Sequence, residues 1–154
     1  MTITFSNIYS NNIFDGLKKI INTEFTKMPI YNDLPFIGRG GAMFLNIQIT
    51  DDVDEEIFVM GTLRKISVSI RLYQRLEGSQ EFNKNKSIQN RYAERIRSLI
   101  EQKSNYTVSS DTQWINGEVF EIDYTPDISE EEENYTVCEL SCEFMTMQTF
   151  IIEE

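Results

Sequence analysis

Two runs of carboxylates are the side chains whose type and spacing come nearest to chemistry. They are Asp51, Asp52, Asp54, Glu55 and Glu56, and the consecutive Glu130, Glu131, Glu132 and Glu133. Adjacent carboxylates can share a proton, divide into an acid and a base, or hold a divalent cation. Acid–base work needs surroundings that shift a pKa, and both runs are expected on hairpin tips, where water levels such shifts. An EF-hand type of cation loop needs a turn glycine and a bidentate Glu at fixed spacing, which the run from Asp51 lacks. The chain has no His, so the commonest general base and nucleophile activator is missing. Cys138 and Cys142 are its two cysteines. Four apart on a strand, they share a face and stand too far apart to bond each other. They alternate with Leu140 and Phe144 as small core residues do, and two thiols without His fall short of a zinc cage. Gly38-Arg39-Gly40-Gly41 lacks the Lys-Ser/Thr of a phosphate loop and precedes a strand instead of opening a helix. The sequence therefore predicts no catalytic residue, no metal ligand, no cofactor and no enzyme activity.

Charge is the other distinctive feature. The stretch from Ser104 to Glu154 holds thirteen acidic residues and no Lys or Arg, whereas Leu63 to Lys103 holds ten basic residues against four acidic ones. Opposite charge in two parts of a chain permits head-to-tail association with a copy of itself, although both signs can equally be solvated faces. A net charge of −11 opposes binding to free nucleic acid. Trp114 lies in the acidic third, away from the basic residues, so it is expected to anchor a hairpin and not to stack on bases.

The elements that must position these groups follow from periodicity. Ser6 or Ser10 can cap a first helix whose stripe is Ile13, Phe14, Leu17, Ile20, Ile21 and Phe25. Pro29 and Pro35 end it and impose an irregular segment from Met28 to Gly41. Met43–Thr50 and Leu63–Gln74 alternate as half-buried strands, with Ile66, Val68, Ile70 and Leu72 on one face and Lys65, Ser67, Ser69, Arg71 and Tyr73 on the other. The acidic run Asp51–Glu56 then forms the tip of a hairpin. Glu77–Lys86 reads as a loop, and Ser87 as the cap of a second helix over Ile88–Lys103, with Arg91, Arg95 and Arg97 on its polar side. Gln113–Thr125 and Asn134–Gln148 read as a second hairpin with the acidic tip Pro126–Glu133. The expectation is one α+β domain over residues 1–154: an antiparallel sheet of about four strands, two long hairpins, against two main helices, in the order α-β-β-α-β-β. The opening MTITFSNIYSNNIF is not patterned as a signal peptide, and no eighteen-residue apolar run spans a membrane, so a soluble, cytoplasm-made protein is expected.

This sequence of segments resembles the bacteriophage tail-terminator, or tail-completion, proteins. The resemblance rests on Ile66–Leu72 as the long strand, Ile88–Lys103 as the helix, and Trp114, Gly117 and Val119 opening the second hairpin. It implies a virion structural protein at the tail and neck, assembled in the host cytoplasm. Its copies would form a homo-oligomeric ring, a hexamer, that caps the tail tube and stops its polymerisation. The ring would contact the tail-tube protein and the head–tail connector, pass DNA through its lumen as cargo, and touch no membrane. Read with the charge split, it makes Arg91, Arg95, Arg97, the Asp51–Glu56 run and Glu130–Glu133 candidate subunit or tube contacts. Two alternatives stand beside it: an acidic inhibitor that mimics DNA, and another head–tail joining protein of the neck.

Overall fold

The computed structural model describes residues 2–4, 9–32, 43–58, 61–75, 82–108, 111–149 and 151–153. Ser6, Pro35 and the Gly38–Gly41 cluster lie outside them. A short strand β1 (Thr2–Thr4) precedes a π-helical turn, Tyr9–Phe14, that runs into helix α1 (Asp15–Asn22). Strands β2 (Ile30–Asn32), β3 (Met43–Phe58) and β4 (Gly61–Arg75) follow, then helix α2 (Phe82–Gln102). The chain closes with β5 (Tyr106–Val108), β6 (Asp111–Asp123), a 3-10 turn at Glu130–Glu132, β7 (Tyr135–Thr149) and β8 (Ile151–Glu153).

The main sheet has six strands in the order β2-β3-β4-β7-β6-β5, and β1 and β8 pair as a separate two-stranded ribbon. The fold expected from the sequence is therefore corrected. The sheet is mixed, because β2 runs parallel to β3 along Ile30–Asn32. It curls into a half-barrel, and the chain is mostly β, not a four-stranded antiparallel sheet in α-β-β-α-β-β order. The curl has a visible cause: register shifts at Ile49/Asp51 and Asp54/Glu56 on β3, and at Ile115/Glu118 and Val119/Glu121 on β6, each add a residue to one strand. Such bulges bend a strand and increase its twist. Asp51–Glu56 also moves, from hairpin tip into strand, where Asp52 pairs with Arg64 and Glu55 with Lys65 across the ladder. Helix α2 begins at Phe82, ahead of the expected cap at Ser87.

One face of the sheet carries the core. Ile47, Ile70, Leu140 and Ile122 lie in register across four strands, and period two places Ile66, Val68, Leu72, Cys138, Cys142 and Phe144 on the same side. Leu17, Ile20 and Ile21 of α1 and Ala93, Ile96, Leu99 and Ile100 of α2 close over them. Each large aliphatic side chain so buried contributes about 1.5–3 kcal/mol. Polar groups fix the end of α2: the Gln89 amide donates to the carbonyls of Leu72 (2.9 Å) and Thr136 (2.7 Å). The Lys86 ammonium donates to the Val137 carbonyl at 2.8 Å and to that of Tyr124. Both cysteines are free and buried, and burial pushes the Cys138 thiol up to about 11 and the Cys142 thiol higher.

Trp114 is the largest buried side chain, at 0% exposure. Its indole packs on Phe144 and Tyr106 at centroid distances of 4.8 and 4.9 Å, and its N–H donates to the Lys103 carbonyl at 2.8 Å. Two glycines make room for it. A Cβ on Gly16 of α1 would stand 2.4 Å from Trp114 Cζ3, and one on Gly117 of β6 2.7 Å from Trp114 Nε1. In an ordinary helix interior, Gly→Ala stabilises by roughly 0.5–1 kcal/mol. Here Gly16→Ala must displace a ring held on several sides, so a loss of about 1–3 kcal/mol is expected. Urea unfolding of the G16A variant checks this, and a gain in stability would show that the ring yields freely.

Candidate assembly interface

The face of the sheet away from the helices is divided. At one end it is covered by the chain itself. Phe44 and Tyr73 stack at 4.9 Å, Tyr135 meets both edge-on at 5.7 and 6.1 Å, and Val137 completes this buried cluster. The connection between β6 and β7 folds back on this end as a strap. The strap is fastened by Glu132, 6% exposed, whose carboxylate accepts from the Tyr73 hydroxyl (2.7 Å) and Arg71 Nη1 (3.0 Å). The same carboxylate accepts from the Ser129 amide (3.1 Å) and hydroxyl (3.0 Å), a reciprocal capping box on the 3-10 turn. Arg71 also donates to Glu139 at 2.6 Å and to the Asp127 carbonyl at 3.3 Å. Burial opposes ionisation of Glu132, but its donors Tyr73 and Ser129 and the Arg71 charge hold its pKa below the usual carboxylate value. Burial and the neighbouring Glu132 in turn push the Tyr73 phenol up.

At the other end no described element covers the face. Val53, Lys65, Met145 and Ile115 lie in one register row across β3, β4, β7 and β6. Glu56, Leu63 and Met147 form the next row. Val53, Ile115 and Met147 are 46, 37 and 47% exposed, an apolar surface that water solvates at a cost. Its charges are unbalanced. Lys65 is shared between Glu143 (3.5 Å) and Glu55 (3.9 Å), and Glu118 stands directly opposite Glu143. Like charges placed so destabilise a sheet. A cavity of about 400 Å³ opens beside them, lined by Lys65, Asn116, Glu118, Glu143 and Met145 among others. Its wall is the β6 bulge, where Asn116 takes the left-handed conformation (φ 51) and its amide donates to Asn105 Oδ1 at 3.1 Å. Asn is among the few side-chain-bearing residues that accept this geometry readily.

The residues singled out from the sequence scatter. Arg91 is exposed; Arg95 pairs with Glu24, and Arg97 with Glu101 at 3.0 Å, one turn on along α2. These two arginines are thus engaged within the chain. Asp51, Asp54 and Glu56 are exposed on β3 beside the paired Asp52 and Glu55. Glu130 and Glu133 are exposed, Glu132 is the strap residue turned inward and buried, and the Glu131 side chain lies outside the described residues. Sequence reasoning missed Glu118, Glu143, Met145 and Met147, although strand alternation with the inward Cys142 and Phe144 turns Glu143 outward. It also missed Ser129-x-x-Glu132, whose spacing is that of a capping box. Among the described residues no group of three His, Cys, Asp or Glu is placed to hold a metal ion, and no helix is long and apolar enough to cross a membrane. No protein-family model and no curated protein matches the chain.

The latch has a pH signature. Because the native pKa of Glu132 lies below its usual value of 4.5, its ionised form contributes stability that is complete above that value. The contribution is lost as pH falls through the native pKa. Glu132→Gln should cost about 1–3 kcal/mol at neutral pH, since it removes a charged acceptor from buried donors. The loss should shrink in acid as the parent itself becomes protonated. Unfolding curves of parent and variant at pH 7 and pH 3 check it, and an equal difference at both values would contradict the assignment.

Proposed function

We propose that the chain is a non-catalytic assembly protein of the phage tail-terminator kind, closing into a ring that caps a finished tail tube and joins it to the head connector. The observation that carries this reading is the divided outer face. One end is latched beneath the chain's own strap, while the other presents Val53 of β3, Met147 of β7 and Ile115 of β6, with Leu63 and Lys65 of β4 between the first two, within a rim of carboxylates. Apolar side chains gathered in adjacent rows suit a protein partner. The segments behind the family resemblance also fall on ordered elements: Ile66–Leu72 within β4, most of Ile88–Lys103 within α2, and Trp114, Gly117 and Val119 in β6. By that resemblance the ring has six copies, sits in the virion neck, and lets DNA pass through its lumen. A subunit charge of −11 suits a passage that must not grip phosphate. A DNA mimic is the weaker reading, because Arg64 and Lys65 interrupt the carboxylates of the β3–β4 hairpin.

Native mass measurement and negative-stain microscopy test the proposal, first on the protein alone and then with tail tubes. The expected result is a closed ring of about six copies, formed freely or on the tube end, and tubes that stop elongating once it is added. A protein that stays monomeric in both settings and leaves tube growth unchanged would contradict it.

A further inference from the structure

We propose that neighbouring copies meet through opposite faces of the fold. The lysine-bearing outer side of α1 on one subunit seats against the bare end of the outer sheet face on the next. This assignment rests on the ring reading above and names the surfaces that close the ring.

The cations of the basic stretch are largely engaged within the subunit. Arg64, Lys65, Arg71, Arg95 and Arg97 each pair with a carboxylate of the same chain. The first helix is different. Its inner side, Leu17, Ile20 and Ile21, is buried, and its outer side shows Lys18 and Lys19, with Lys27 exposed just beyond the helix. Among the described residues no ion pair reaches any of these three lysines. Asp15, Lys18, Lys19, Asn22 and Thr23 line a shallow groove of about 500 Å³. The aliphatic stems of two lysines give such a groove apolar walls beneath its charge.

The bare end of the sheet is the complement in both respects. It offers an exposed Met147, flexible enough to fill an irregular groove, with exposed Ile115 on the adjacent strand and Val53 beyond β4. It also carries Glu56 and Glu118, exposed and without an ion pair among the described residues. Glu118 faces Glu143 across the ladder, a like-charge pair that a neighbour's ammonium would relieve. Helix α1 packs on the inner face and this surface lies on the outer one, so a copy cannot use the same patch twice across a two-fold axis. The contact is heterologous, the kind that repeats until rotation closes a ring. Apolar contact would supply most of the affinity, and the charges the register.

Two double variants test the pairing: Lys18→Glu with Lys19→Glu, and Glu56→Lys with Glu118→Lys. All four positions are exposed, so thermal unfolding of K18E/K19E should match the parent, and that of E56K/E118K should match or exceed it, because Glu118→Lys removes the like-charge pair with Glu143. Each variant alone sets like charge against like, and its ring formation in low salt should be weaker by about tenfold or more. A one-to-one mixture restores opposite charge at every contact of an alternating ring, and should recover the parent mass. If the parent forms rings and both variants do so equally well, the ring reading stands and this assignment of faces falls. The assignment also falls if each variant is impaired and the mixture stays dissociated. Rings of E56K/E118K that form normally but no longer bind tail tubes would give the bare face to the tube protein instead. A parent that forms no ring alone or on tubes overturns the ring reading itself.

Discussion

The close approach of Trp114 to two glycine backbones is the constraint on which the rest of the molecule depends. The indole sits where helix α1, strand β6 and strand β7 converge, and neither Gly16 nor Gly117 can carry a Cβ without displacing it. Its N–H is satisfied by the Lys103 carbonyl at 2.8 Å, so the ring is fixed in orientation as well as in depth. The same contact sets the surface. By fixing α1 it decides where Lys18 and Lys19 point, and strand alternation turns the residue after it, Ile115, to the other side of the sheet. The bulge that admits Gly117 beside the indole also places Glu118 opposite Glu143. Core packing and the proposed contact surface thus share one anchor.

The two ends of the outer face solve the same physical problem differently. A curled sheet with one helical layer leaves its second face to water unless something covers it. Near Tyr73 the chain supplies the cover, and the carboxylate it buries there is well satisfied: Glu132 accepts four hydrogen bonds from Tyr73, Arg71 and Ser129. Near Met147 the chain leaves apolar side chains in water and two carboxylates facing each other. Both features cost the isolated subunit stability, and both would be relieved by a partner that brings apolar surface and positive charge. That asymmetry supports the proposed assembly surface.

The sequence is legible where one physical signal dominates. Strand β4 has a clean period of two because one face is core and the other is not, and its inward residues could be named from pattern alone. The amphipathic stripes of α1 and α2 are readable for the same reason. What fails is whatever depends on partners distant in the chain. Ile30–Asn32 is three residues long and becomes a parallel strand only because β3 lies beside it. Asp51–Glu56 has poor intrinsic strand propensity, yet it continues β3 because Arg64 and Lys65 face it across the ladder. The strap looked like a solvated acidic tip, and its fold depends on Tyr73 and Arg71 more than fifty residues away. The candidate surface is hidden for the same reason: Val53, Lys65, Met145 and Ile115 form a row only once the register of four strands is known.

The claim that the bare end of the outer face is buried on assembly is tested most directly by oxidative footprinting of Met147, read by mass spectrometry. In the isolated subunit this thioether is about half exposed and should convert readily to the sulfoxide. On assembly into a ring its oxidation should fall severalfold, while the buried Cys142 stays unreactive in both states. If Met147 in the assembled protein oxidises as fast as in the dissociated subunit, that face is not an interface and the account is wrong.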